Sequence, residues 1–210
     1  MAKGPAQLGA GPSFQRGMKL KTMIKNIACT WVGYQPKGRA EHDDGGTHRL
    51  IQIKDFQEDG SIEFDRLSWI IPDRTPGRLE VQNGDVLFSA RGKYNAAYAL
   101  AEVPAHTLAG GNFFVVRLKR RDLLPEYLAW SLNQPVMQDE IRSRMMGTNI
   151  PYISKKAFEQ LEVSVPPLET QRKICELMRL QKQEQRLLAK LSAKREQLVQ
   201  AVCCRAAHQD

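Results

Sequence analysis

From Leu168 to about Ala206 the chain contains neither glycine nor proline, and its residues are good helix formers. As one helix this segment spans ~58 Å at 1.5 Å per residue. A compact domain offers few faces that long, so the segment reads as a helix awaiting a partner rather than one folded back on its own domain. Leu177, Leu180, Leu187, Leu188, Leu191, Leu198 and Val202 trace an apolar stripe. In a heptad frame the seam runs Ile174, Leu177, Gln181, Glu184, Leu188, Leu191, Arg195, Leu198 and Val202. Polar Gln181, Glu184 and Arg195 interrupt it, which suits a short coiled coil of specified register. The nine Lys and Arg of this helix stand against four Glu, and most read as solvated, with some near a docking partner.

The helix starts abruptly. LEVSV (161–165) reads as a strand, and Pro166-Pro167 follows at once. Proline has a fixed φ and no N–H, so the pair makes a stiff boundary with the helix directly after it. The expected organisation is a flexible Gly/Ala/Pro-rich tail at 1–18, a compact domain at 19–166 and the long helix at 167–210.

The compact domain reads as mainly β. LIQIKDF (50–56) alternates apolar and polar residues, SIEFDRLSWII (61–71) follows an EDG turn signal, VQNGDVLFSARG (81–92) pairs an Asn-Gly-Asp turn with an apolar run, and NFFVVRLKR (112–120) is the clearest strand. Small helices follow, one opened by Pro125 and one from about Val136 to Met146, ended by Gly147. Ser154 is placed to cap a short turn over KKAFEQ. The fold class is α+β: a mainly antiparallel or mixed β domain with small helices, then one long coiled-coil helix.

With 42% hydrophobic residues in 210, a packed core is expected. No apolar run approaches the ~20 residues of a membrane helix, and the N-terminus lacks the apolar stretch of a secretory signal. Cys29, Cys175, Cys203 and Cys204 match no zinc spacing, and His42, His48, His106 and His208 fall in no frame with them. Reduced thiols in the cytoplasm are the expectation. The net charge of +8, with a pI near 9.4, favours an acidic partner such as nucleic acid or an anionic membrane surface.

Catalytic signatures are missing from the sequence. There is no GxxxxGK[ST] and no GxGxxG, and Gly110-Gly111 reads as a strand-entry turn. Asn133-Gln134-Pro135-Val136 is a poor match to the Asn-Pro-Pro-aromatic box of adenine methyltransferases, because it lies between helices and carries Gln and Val at diagnostic positions. Asp43-Asp44 in HDDGGTH reads as a polar turn rather than a metal site. The chain is read as a non-enzyme without a metal or cofactor of its own.

GTNIPYISKKAFEQLEVSVPPLETQRKI (147–174) resembles the specificity (S) subunits of type I restriction–modification enzymes. The resemblance rests on Gly147, Ile153-Ser154, the strand Leu161–Val165, Pro166-Pro167-Leu168-Glu169 and Gln171-Arg172-Lys173-Ile174, with Thr170 where the family usually has Glu. GDVLFSARG (84–92) and LLPEYLAWSLN (123–133) extend it, so that it covers roughly 19–206. S subunits are not enzymes. They usually carry two target-recognition domains on long helices, which act as spacer and as dock for methyltransferase subunits. With one domain and one helix, this chain looks like half an S subunit.

The resemblance implies double-stranded DNA, adenine-specific methyltransferase subunits and a restriction or translocase subunit as partners, with S-adenosylmethionine carried by the methyltransferase. Pairing of two copies through Ile174, Leu177, Leu188, Leu191, Leu198 and Val202 would rebuild the two-domain layout and select an interrupted palindrome. The alternative is a helical adaptor that assembles such a complex without reading sequence. DNA contact is expected from Arg91, Lys93, Tyr94 and Asn95, from Lys37, Arg39 and Arg49, from Arg74 (and less from Arg78), and from Thr148, Asn149, Tyr152 and Lys155. Arg117, Lys119, Arg120 and Arg121 form the densest basic run but read equally well as a solvated strand edge.

Overall fold

The structure, a computed structural model, describes residues 20–38, 42–57, 59–92 and 95–207. The expected tail at 1–18 lies outside these. Along the chain run β1 (Leu20–Met23), α1 (Ile24–Ile27), β2 (Ala28–Val32), β3 (His48–Ile51), β4 (Ser68–Ile70), β5 (Asp85–Ser89), β6 (Ala97–Ala99), β7 (Thr107–Ala109) and β8 (Phe113–Leu118). Then come α2 (Pro125–Leu132), α3 (Pro135–Ser143), α4 (Lys155–Glu159), β9 (Glu162–Val165) and α5 (Leu168–Ala207).

Three sheets form. β2-β8-β5-β6 is antiparallel throughout, β4-β3-β7 is mixed with β3 and β7 parallel, and β1 pairs antiparallel with β9. β5 and β8 occupy the middle of the four-stranded sheet and are covered on both sides, which is why they read as unbroken apolar runs. Val86, Phe88, Phe114 and Val116 face a core shared with α2, α3, α4 and β9, whereas Leu87, Phe113 and Val115 face Ile51 and Ala109 of the mixed sheet. Tyr34, Leu50, Ile70 and Leu108 make a small third cluster on the far side of the mixed sheet.

The expected strand at 50–56 is shorter: β3 ends at Ile51 and a single 3-10 turn takes over at Ile53–Asp55. Of the 61–71 run, Ser68–Ile70 forms a strand and Ile62 makes an isolated bridge to Phe56. The second small helix starts at Pro135 itself, whose missing N–H costs nothing in a first turn, and ends at Ser143. Asn133 clamps edge strand β6, accepting from Ala97 N–H and donating to the Ala97 carbonyl, both at 2.8 Å. Its amide is therefore spent on the sheet.

Two buried polar groups set the frame. Gly84 turns at φ +85°, delivering Asp85 into the interior, where Arg117 grips it through Nε at 2.8 Å and Nη2 at 2.7 Å. The Arg117 guanidinium also lies 4.9 Å from the Trp31 ring centroid. Arg117 of the basic run is thus a structural residue. The second group is Gln171, fully buried in the first turn of α5. Its Oε1 accepts from Leu124 N–H at 2.9 Å, and its Nε2 donates to the Asp122 and Pro166 carbonyls at 2.8 Å. One amide therefore ties the helix start to the prolines and to the head of α2. At the junction where the sequence places Pro166-Pro167, this side chain adds three hydrogen bonds of its own.

α5 has two halves. Ile174 and Cys175 pack against the main core, and Arg186 reaches Asp59 in an ion pair at 2.5 Å. The Asp59 carboxyl is held at about 2, first by the Ser61 hydrogen bonds and further by Arg186. From Arg179 to Ala207 every residue is exposed. No helix among the described residues is long and apolar enough to cross a membrane.

Candidate nucleic-acid interface

β5 ends at Ser89, and the loop beyond it is clamped at its base. Ser89 N–H donates to the Ala96 carbonyl at 2.9 Å, Asn95 Nδ2 donates to the Ser89 carbonyl at 2.8 Å, and Gln138 Nε2 donates to the Asn95 carbonyl at 2.8 Å. Above that clamp the loop is zipped to a segment far along the chain. Ile153 N–H donates to the Ala90 carbonyl at 3.0 Å, Gly92 N–H to the Pro151 carbonyl at 2.9 Å, and Arg91 bridges Tyr152. Met146 and Tyr152 exchange backbone bonds at 2.8 Å in each direction, closing a tight loop whose Thr148, Asn149 and Ile150 are exposed. Gly147 permits that loop with φ +89°.

Arg91 also lines a cleft of about 630 Å³. One wall is Tyr34 to Gly38, the other Gly110 to Phe113, and Leu50 of β3 contributes to the lining. The walls approach so closely that a Cβ at Gly33 would collide with the Gly110 carbonyl. Buried Tyr34 donates its hydroxyl proton to Asp73 and accepts from Asp73 N–H at 2.9 Å. Burial, then that bond, pushes the Tyr34 phenol up, and the same bond leads in holding the Asp73 carboxyl down, with Lys37 and Arg74 adding to it. The Arg74 guanidinium sits 5.9 Å from the Tyr34 ring centroid. Lys37 lies between two lining residues, Pro36 and Gly38. Lys37, Arg74, Arg91, Thr148, Asn149 and Tyr152 thus come from four loops joined in two pairs, the first by the Tyr34–Asp73 bonds and the second by the zipper of 90–92 to 151–153, with Tyr34 and Arg91 lining one cleft. Arg91, Thr148 and Asn149 have no side-chain partner among the described residues.

Other expected contacts are placed differently. Asn95 is 3% exposed and its amide holds the loop base, so it positions Arg91 instead of meeting a base edge. Arg49 lies on the opposite face of β3 from Leu50, and its guanidinium stacks 4.3 Å from the Trp69 ring centroid. Lys155 opens α4 and faces Glu159 at 3.5 Å. Ser154 caps that helix, accepting from Ala157 N–H at 3.2 Å. Ile174 packs on its own domain, so it belongs to the junction and not to a seam between copies. Arg39, Lys93 and Tyr94 lie outside the described residues. Leu177, Leu188, Leu191, Leu198 and Val202 are all exposed, and Leu180, Leu187 and Val199 widen their stripe.

Sequence reasoning missed the cleft walls at Tyr34, Gln35 and Asn112. The signal available was the glycines at 33, 110 and 111, which mark close backbone approach. Chemically, the surface offers cations for phosphates and Arg, Asn, Thr and Tyr groups for base edges, on a frame held by backbone bonds.

Residues 71–194 match the model of the type I restriction modification DNA specificity domain. The chain belongs to this family. The specificity-domain match takes in the Arg91 loop, the 146–152 hairpin, the Gln171 junction and α5 as far as Lys194. A 66-residue stretch is 32% identical to the type I restriction enzyme MjaVIII specificity subunit of Methanocaldococcus jannaschii, covering 30% of this chain and 15% of that protein. Among solved structures, the chain is similar to the HsdS subunit from Thermoanaerobacter tengcongensis, 21% identical with TM-score 0.60, covering 96% of this chain and 48% of that one. It is also similar to the type I restriction-modification S subunit from M. genitalium, 13% identical with TM-score 0.58, covering 89% and 45%. These two likenesses speak to the fold: the α+β specificity-domain architecture with one long C-terminal helix. The chain spans less than half the length of either.

Proposed function

We propose that this chain is a DNA sequence-specificity subunit that reads one half-site and docks methyltransferase subunits through its helix. The observation that carries the reading is the zipping of the 89–92 loop to the 151–153 segment, which presents Arg91 beside the Thr148–Asn149 tip with their side chains unpaired among the described residues. A free guanidinium on a fixed backbone suits bidentate pairing with guanine, and Lys37 and Arg74 suit phosphates. Membership of the specificity-domain family supports the same reading.

The chain would supply specificity, not chemistry. An adenine-specific methyltransferase partner would bring S-adenosylmethionine, and a restriction or translocase subunit would join the same assembly, in the cytoplasm. Two copies would pair antiparallel through the Leu177–Val202 stripe of α5, giving a two-fold array and hence an interrupted palindrome as target. The stripe from Leu177 to Val202, exposed along its length, supports that pairing.

The test is selection from a randomised interrupted-palindrome library, followed by binding titrations at several salt concentrations. Affinity should fall steeply with salt, as phosphate contacts require. Arg91→Ala should relax preference at one position of each half-site, with about 1–3 kcal/mol of discrimination lost there. An equal loss for every sequence would make Arg91 a phosphate contact and remove it from base reading. No selected sequence at all would favour an adaptor role.

A further inference from the structure

The parallel register of β3 and β7 pairs Arg49 with Thr107, and Arg49 N–H donates to the His106 carbonyl at 2.8 Å. Continuing that register by one residue sets His48 beside His106. Their rings lie 5.2 Å apart at 71°. On the other side of β7, Glu80 bridges Leu108, and Val81 N–H donates to the Thr107 carbonyl at 2.9 Å. Three neighbouring backbone segments thereby aim two imidazoles and a carboxylate at one point. Glu80 Oε1 is 3.3 Å from His48 Nε2 and 3.5 Å from His106 Nδ1, and all three donor atoms fall within 4.8 Å of one another.

We propose that His48, Glu80 and His106 form a binding site for a divalent transition-metal ion of the zinc class. Two imidazole nitrogens and one carboxylate oxygen converge on one point from three backbone segments, and a single cation there would take one ligand from each in place of the two His–Glu hydrogen bonds. The donor set, two imidazoles and one carboxylate, is one that zinc accepts with a fourth position left for water. The spacing fits too. Bonds of about 2.0–2.1 Å in a tetrahedron put donors about 3.3–3.4 Å apart. The third edge closes by rotation of the His106 side chain, which is 64% exposed. Thr47 Oγ1, 2.9 Å from His48 Nδ1, is placed to accept the proton of the tautomer that leaves Nε2 for the metal. Arg117 donates to the Glu80 carbonyl at 3.2 Å, but Asp85 already neutralises it. His106 adopts φ +57°, a conformation rare for a residue with a side chain, and that conformation sets the direction of its imidazole. The ion would staple β3, β7 and the segment before Val81 into one unit.

The experiment titrates Zn²⁺ into the full chain against a chromophoric chelator and records the Co²⁺ absorption spectrum. A companion protein carries Ser at Cys29, Cys175, Cys203 and Cys204. One Zn²⁺ per chain is expected in both proteins, with a Co²⁺ spectrum lacking a thiolate charge-transfer band. A hundredfold excess of Zn²⁺ over its Kd should raise Tm by about 5–10 °C. His106→Asn keeps a residue tolerant of positive φ, so it leaves the fold intact. It should weaken binding by more than the roughly 10–100-fold that loss of an outer partner costs. Glu80→Gln, of equal size, should do the same. Binding that survives both substitutions, binding that disappears with the cysteines, or no Zn²⁺ bound at all would each overturn the proposal.

Discussion

The domain and the helix that leaves it are stabilised in opposite ways. In the domain β5 and β8 are covered on both faces, and Asp85, its most deeply buried charge, is neutralised by Arg117. In α5 the only buried residue is Gln171, and Leu177, Leu187, Leu188, Leu198, Val199 and Val202 are each about 60% exposed. An isolated helix in water draws little stability from propensity alone, so the uncovered apolar stripe is what the proposed pairing of two copies would bury. The domain buries its apolar residues within this molecule, and the helix leaves most of its own exposed.

Breaking the stripe tests that contrast most severely. Leu188→Glu with Leu191→Glu should abolish self-association, read as a fall from dimer to monomer mass by light scattering. Thermal unfolding of the domain should stay where it was, because neither side chain touches it. A dimer that persists would locate the partner surface elsewhere. Removing the hinge pin comes next. Gln171→Leu keeps the volume but strands the Leu124 N–H and the Asp122 and Pro166 carbonyls, at a cost of about 1–3 kcal/mol. Denaturant unfolding should show that loss, and spin labels across the junction should report a broader range of helix angles. An unchanged distance distribution would assign the rigidity to the prolines alone.

The smallest effect concerns the outer clamp. Asp59 sits near 2 in the folded chain against an ordinary 3.8, so its contribution is complete above about pH 4 and is lost as pH falls through 2. Its Arg186 partner is more than half exposed, so the pair is worth well under ~1 kcal/mol. Labels on the 59–61 turn and near Arg186 should separate only across that acid window. Separation at neutral pH in high salt would mean that screening alone opens the clamp.

Several expectations from sequence hold because they depend on local chemistry. The apolar runs at 86–88 and 113–116 are strands, Pro125 and Pro135 open helices, Ser154 caps one, and the Gly/Pro-free segment is a single helix. β6 and β7 were not legible, since three residues each leave no period to detect. At the candidate interface, Arg91 and the 148–149 tip were legible as polar loops. Their being zipped together was not, because backbone bonds between distant loops leave no mark in side-chain pattern. Asn95 shows the opposite failure. A polar residue in a polar loop looks available, yet its amide was needed to hold the loop base.

From its residue pattern alone the chain declares a β domain, a stiff junction and a long amphipathic helix, and the motifs around that junction declare its family. Those are properties of neighbours in sequence, where propensity, proline geometry and apolar spacing act directly. Tertiary structure decided what depends on pairs far apart. It determined that Arg91 lines the cleft beside Tyr34, that Arg49 and Arg117 stack on indoles instead, that Ile174 packs inward, and that His48, Glu80 and His106 meet. The physical reason is strand register. A shift of one residue turns every side chain to the other face, and register is fixed by the packed core as a whole, not by any segment alone.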